Sequence, residues 1–227
     1  IDSTGSVSDT AGFSIVSYTG TGSNGTVKHG LSTAPSMMIV KQRNSTENWT
    51  VYHSGIGNPA QYMELNSSGA VLTNSAVWNS TNPTSSVFSV GTNARTNNNT
   101  SNYIAYCFND IKGYSKFGSY TGNGSTEGSF VYTGFLPAMV ICKKSSASGT
   151  NWGIIDNKRA NSFNQISAML NPNSSGTEGA NNNCDFVSNG FKWRTSDGNS
   201  NASATYIYMA FAENPFTTST GVPATAR

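Results

Sequence analysis

The sequence predicts an all-β protein made of two tandem, homologous β-sandwich domains of jelly-roll or lectin-like type. Three observations lead there. Short apolar runs of four to seven residues, rich in β-branched and aromatic types, are bounded by Gly, Asn, Pro or Ser. No run of ten or more residues carries a helical period. The chain also repeats itself. Tyr18-Thr19-Gly20 returns as Tyr120-Thr121-Gly122, and four further blocks recur in the same order at an offset drifting between about 102 and 107.

Those blocks define the elements. "APSMMIVKQR" (34–43) parallels "LPAMVICKKS" (136–145), and "NWTVYH" (48–53) parallels "NWGIID" (151–156). "LNSSG" (65–69) parallels "LNPNSSG" (170–176), and "YIAYCFND" (103–110) parallels "YIYMAFAE" (206–213). Strands are expected at "FSIVSY", "SMMIVKQ", "WTVYHS", "YMELN", "VFSVG" and "YIAYCFN". In "YIYMAFAE", Tyr206, Tyr208, Ala210 and Ala212 share one face, and Ile207, Met209 and Phe211 the other. The repeat sets the expected boundaries: a linker over 1–11, repeat 1 over 12–112, repeat 2 over 113–216, and a tail over 217–227. About seven strands in a hundred residues suits a sandwich, and the Cys…Trp…Cys pattern of an immunoglobulin domain is missing.

Composition narrows the function. Only 11% of residues are charged, and the formal net charge is +2. That is too little to attract nucleic acid by itself. Ser, Thr and Asn take up the balance, yet 11 Phe, 10 Tyr and 4 Trp argue for a folded chain rather than a disordered one. No apolar run reaches membrane-spanning length, so no membrane insertion is expected. There is no recognisable signal peptide, and the first residue is Ile, which reads as a processed chain or a fragment. Cys107, Cys142 and Cys184 are odd in number and widely spaced; they read as buried free thiols, not a disulfide framework.

The run Gly20-x-Gly22-x-x-Gly25 has the spacing of a dinucleotide-binding fingerprint. The next segment, "TVKHGLSTAP", cannot open a helix, and no acidic residue occurs before Glu47. In the second copy, "YTGNGSTEG", the third glycine has moved to Gly128. A surface turn tolerates that shift, whereas a phosphate cradle does not. Tyr18 and Tyr120 should therefore occupy matching places, with different loops after them.

Other chemistries find little support. His29 and His53 are the only histidines, and His53 aligns with Asp156 at a strand end, which suits a structural hydrogen bond. No G-x-S-x-G elbow accompanies them, and the acidic residues are scattered. "NNNCD" and "SDGNSN" do not fit an EF-hand loop, so neither metal nor cofactor is expected. "KGYSKFGSY" begins like an RNA-binding strand, but its counterpart "TAGFSIVSY" has no basic residue. The Asn-x-Ser/Thr triplets are no more than this composition produces by chance.

Sugar binding remains. It uses exposed aromatics for stacking and Asn, Asp or Arg for hydroxyls. Trp49 and Trp152 recur at equivalent positions and are expected in the core. Trp78 and Trp193 have no tryptophan partner in the other copy and flank polar loops. They are the carbohydrate-contact candidates, with Arg194 and Asp197 beside Trp193.

The blocks "GFSIVSYTGTG…HGLSTAPSMMIVKQR…NWTVYH" and "GYSKFGSYTGNGS…FVYTGF…DFVSNGFKWR…YIYMAFAENPF" resemble a duplicated domain common in tail-fibre and other virion-associated proteins of tailed phages, especially marine and cyanobacterial ones. The resemblance covers roughly residues 12–216. It implies a virion-surface or host-recognition part and a homo-oligomer, a trimer being the form fibres usually take. It carries over no catalytic residue. The expected function is a non-enzymatic tail-fibre or receptor-binding segment contacting a host surface glycan and other virion proteins. The alternatives are a capsid decoration or head-fibre protein binding only virion proteins, and a polysaccharide depolymerase.

Overall fold

The computed structural model describes residues 1–159, 164–180 and 183–214. The expected tail over 217–227 lies outside them. The protein is all-β, with only two α-helices, each a single turn, among the described residues: α1 (Ser75–Trp78) and α2 (Ala94–Asn97). The chain forms two compact units, one of Ile1–Asn66 with Val71–Asp110, the other of Ser67–Ala70 with the described residues from Ile111.

The first unit carries β1 (Ser3–Ser8), β2 (Phe13–Thr19), β3 (Gly25–Lys28), β4 (Met37–Gln42), β5 (Thr50–His53), β6 (Gln61–Glu64), β7 (Leu72–Thr73), β8 (Val87–Val90) and β9 (Asn102–Phe108). An antiparallel sheet runs β1-β2-β9-β4-β5-β6-β7, and β3 and β8 form a separate ribbon. Residues of β2 alternate as the pattern requires, with Ser14, Val16 and Tyr18 inward. Val16 and Tyr18 meet Val27 of β3 and Phe88 and Val90 of β8 in one core cluster, so the sheet and the ribbon close on each other.

The second unit carries β10 (Ser115–Thr121), β11 (Phe130–Tyr132), β12 (Pro137–Lys144), β13 (Gly153–Asp156), β14 (Cys184–Val187), β15 (Gly190–Trp193) and β16 (Thr205–Ala212). One sheet runs β10-β16-β12-β13 and the other β11-β15-β14. Tyr120, Val140, Cys142, Tyr206, Tyr208 and Ala210 of the first meet Val131, Phe186, Phe191 and Trp193 of the second in a single core. The face of β16 expected to hold Tyr206, Tyr208, Ala210 and Ala212 is the one turned to this core.

Local geometry recurs between the units. The order β2-β9-β4-β5 matches β10-β16-β12-β13. Tyr18 and Tyr120 do occupy matching places: each is buried, each stacks on the tyrosine opposite it, and each donates its hydroxyl to a backbone carbonyl about 80 positions on. The glycine turns are held alike. Gly22 N donates to Asn97 O, and Gly124 N to Asn201 O. Gly22 and Gly124 have φ of 71° and 68°, a left-handed conformation that glycine adopts without strain. The loops beyond them differ, as expected, since β3 starts at Gly25 but β11 only at Phe130.

Two expectations need correction. Residues 1–11 are not a linker: Ser3–Ser8 pairs along its whole length with β2, from Ser3 opposite Tyr18 to Ser8 opposite Phe13. An edge strand wet on both faces has no apolar alternation to betray it, and β1 is polar and exposed almost throughout. Trp49 is only half-buried, stacked on Tyr106 at 6.4 Å, whereas Trp152 is in the core as expected.

Candidate functional site

The carbohydrate-contact candidates do not form one site. Trp78 and Trp193 are 1% and 0% exposed, so neither indole offers a face to a ligand. Trp78 ends α1 and meets the ring of Tyr52 edge-on. Trp193 points inward from β15 against Phe191 and Tyr120. Their polar sequence neighbours belong to the other side of the same strand or turn. Asp197 is committed to its own loop: its carboxylate accepts from Asn199 N at 2.8 Å and its carbonyl from Asn201 N. Asp197 and Arg194 are both partly exposed, but only Arg194 joins a wider surface cluster, in a place the sequence did not suggest.

That place is the outer face of the β11-β15-β14 sheet. The strand period of two turns Val131, Phe191, Trp193, Cys184 and Phe186 inward, which leaves Phe130, Tyr132, Lys192 and Asp185 outward. Phe130 stands opposite Lys192, and Lys192 opposite Asp185, in one row across the three strands. Tyr132 stands opposite Gly190, which stands opposite Val187. Phe130 and Tyr132 are 49% and 65% exposed, unusual for two large rings on one three-residue strand. Gly190 lets the β11 backbone approach β15 closely. A Cβ there would lie 2.1 Å from Val131 O and 3.1 Å from Phe130 Cε2.

Beside the rings lies a charged cluster. Arg194 Nε donates to Asp185 Oδ2 at 2.6 Å, and Arg194 Nη1 to both carboxylate oxygens of Glu127, at 3.1 and 3.0 Å. Lys192 Nζ donates to Glu127 Oε2 at 3.0 Å. Hydrogen bonding from Lys192, its charge and that of Arg194 hold the Glu127 carboxyl below its ordinary value. Arg194, Asp185 and Glu127 border an open recess of about 410 Å³ with Thr126, Asn164 and Gln165.

The first unit has nothing comparable at the matching ribbon. There the face turned away from Val27 and Phe88 carries Thr26 and Lys28 of β3 and Val87 and the buried Ser89 of β8. The Ile1 amino group and the Ser3 hydroxyl donate to the carbonyls of Thr26 and Lys28. Sequence reasoning passed over Phe130 and Tyr132 because "FVY" is apolar at every position and does not reveal its wet side. Setting "FVY" against "TVK" of the first unit does reveal it, since Thr26 and Lys28 flank Val27 opposite Phe88 as Phe130 and Tyr132 flank Val131 opposite Phe191.

The histidines take structural roles. His53 Nδ1 accepts from Gly55 N at 3.0 Å, and Asp156 at the matching strand end accepts from the backbone of Lys158 and Arg159. His29 Nδ1 accepts from Leu31 N, and its Nε2 faces Thr84 O. Among the described residues no group of three or more His, Cys, Asp or Glu is placed to hold a metal ion. No helix there is long and apolar enough to cross a membrane. The three thiols are free and buried, and loss of hydration pushes Cys107 and Cys142 up to about 12.

No curated protein and no solved structure matches the chain. A family model described as a domain of unknown function, DUF7483, matches residues 1–215, and the chain belongs to that family.

Proposed function

We propose that the chain is a duplicated, non-enzymatic glycan-contact segment of a phage virion protein, of tail-fibre or receptor-binding type, displayed on the virion surface. The outer face of β11-β15-β14 carries this reading. Two exposed rings, Phe130 and Tyr132, lie side by side with Lys192, Arg194, Asp185 and Glu127 around them. Sugar rings pack their C–H faces on aromatic planes while charged and amide groups take the hydroxyls. Apolar area with a few placed polar groups is the general recipe for such contacts.

Duplication is supported by the ordered sequence blocks and by the recurring tyrosine stacks and glycine turns. A non-enzymatic role is consistent with three carboxyls, Glu127, Glu213 and Asp156. A glycosidase acid needs a carboxyl held above its ordinary value. Glu127 and Glu213 are held below it, chiefly by hydrogen bonds from Lys192 and Lys158 respectively. At Asp156 partial loss of hydration pushes upward, but Arg159 and backbone N–H groups outweigh it and the carboxyl is again lowered. Virion placement rests on the family resemblance of the sequence blocks. An open face of this size binds one glycan weakly, and a homo-oligomer, as a trimeric fibre would be, multiplies avidity without new contacts.

The test is retention of the chain on envelope polysaccharide from bacterial hosts of tailed phages, compared with the double variant Phe130→Ala, Tyr132→Ala. Wild-type chain should be retained and the double variant released, with polysaccharide viscosity unchanged by either. Retention that survives loss of both rings would sink this assignment of the face.

A further inference from the structure

Glu127 occupies the charged cluster in an unusual way. Its side chain is 74% exposed, yet its carboxylate bridges two cations, Lys192 and Arg194. The residue sits on the long turn between β10 and β11, held through its backbone: Glu127 N donates to Ser125 Oγ and Glu127 O accepts from Asn123 Nδ2. The cations, by contrast, are mounted on the sheet. Arg194 is pinned through Nε by Asp185, whose side chain is only 16% exposed, and that leaves the Nη1 end turned to Glu127. Two cations on a rigid face thus hold one exposed carboxylate borne on a turn, next to the rim of an open recess and beside an exposed ring.

We propose that this is an acid-sugar subsite, in which Glu127 stands in for the carboxylate of a uronic-acid-type residue of the glycan. The inference rests on the glycan-contact reading above and deepens it. With Glu127 in place, Lys192, Arg194, Asp185 and Glu127 sum to zero formal charge. When Glu127 swings out, the face keeps one net positive charge and a fork of N–H donors suited to a carboxylate. An exposed ion pair is weak because water and salt screen it, so its exchange for a ligand carboxylate costs little. Phe130, directly opposite Lys192, would carry the sugar ring whose carboxylate the cations take. The first unit, with Ser89 opposite Thr26 at the matching positions, has no such fork.

The experiment uses the full chain and two probes: oligogalacturonate, and the same oligosaccharide after reduction of its carboxyl groups to alcohols. Titration calorimetry at low salt should show tighter binding of the acidic form. Glu127→Gln should raise affinity for the acidic form by roughly fivefold and leave the reduced form unchanged, the scale of one screened ion pair. Arg194→Gln should abolish the preference, and added salt should erase it. Equal binding of the two probes, with loss of both in Tyr132→Ala, would overturn the acid subsite while the glycan-contact reading stood. Failure of Glu127→Gln to strengthen acidic binding would also overturn the subsite. Binding of neither probe nor of any host polysaccharide would overturn both.

Discussion

Tyr120 lies face to face on Tyr206, with ring centroids 5.0 Å apart and planes 8° from parallel. The register of β10 on β16 sets the two directly opposite. Each hydroxyl then finds a carbonyl in the same loop: Tyr120 Oη donates to Ser200 O at 2.6 Å, and Tyr206 Oη to Gly198 O at 2.9 Å. The first unit repeats the arrangement, with Tyr18 on Tyr103 at 5.1 Å and Tyr18 Oη donating to Thr96 O at 2.7 Å. Tyr120→Phe keeps the stack but leaves a buried carbonyl short of its donor. It should cost about 1–3 kcal/mol, and Tyr18→Phe a similar amount in its own unit. Urea unfolding checks this, and an unchanged midpoint in Tyr120→Phe would contradict it.

Asn201 ties the glycine turn of the second unit to the loop after β15. It is fully buried, and the two N–H groups of its Nδ2 face three acceptors, Asn123 Oδ1, Ser125 O and Thr195 O, each within 2.9 Å. Its Oδ1 accepts from Asn123 N and Ser129 N. Asn97 does the same work in the first unit, donating to Ser23 O and Gly91 O and accepting from Thr21 N. Asn201→Ala removes this part-buried network from the turn and should destabilise by about 1–2 kcal/mol. It should also loosen the turn bearing Glu127. Hydrogen exchange at residues 123–129 would then rise more than in the β12-β13 hairpin, and uniform exchange would count against this link.

The buried and exposed aromatics separate by stability. Trp193→Ala empties a core position and should cost about 3–5 kcal/mol. Tyr132→Ala removes a ring that is mostly in water and should stay within about 0.5 kcal/mol of wild type. Thermal melts of the two variants decide the matter. A large loss in Tyr132→Ala would mean that the ring is structural and not a contact surface.

The contrast also shows what the sequence could and could not disclose. The strands at "SMMIVKQ", "VFSVG" and "YIAYCFN" were legible because short β-branched and aromatic runs between turn residues favour a pleated, half-buried surface. β1 was not, because an edge strand exposed on both faces carries no apolar run. Trp78 and Trp193 read as exposed because Asn, Ser and Thr surround them in sequence, yet in a strand or a single helical turn the neighbours point elsewhere. The charged cluster was only partly legible. Arg194 was singled out by adjacency to Trp193, while its real partners, Glu127 and Asp185, lie 67 and 9 positions away and meet it only through the fold.

Lys143 provides a prediction about pH. It is fully buried on β12, opposite Ile207, and its Nζ donates to Lys144 O at 3.0 Å and Thr150 Oγ1 at 3.5 Å. Loss of hydration, reinforced by the Lys144 charge, lowers its pKa from 10.5 to about 8. Between these values the unfolded chain holds a proton that the folded chain has released, so this residue's contribution to stability rises with pH from about 8 to 10.5. Below pH 8 its cost is constant. The buried thiols act oppositely, because Cys107 and Cys142 are raised from 9.0 to about 12 and stability falls as the unfolded thiols ionise. Comparing wild type with Lys143→Met cancels Cys107 and leaves, of the thiols, only the coupling of Cys142 to the Lys143 charge. Lys143→Met should be the more stable protein at neutral pH, and its advantage should shrink by at most about 1.4 kcal/mol per pH unit above pH 8. Urea midpoints at pH 7, 8, 9 and 10 measure the difference directly. An advantage independent of pH would show that Lys143 keeps its proton in the folded protein throughout that range.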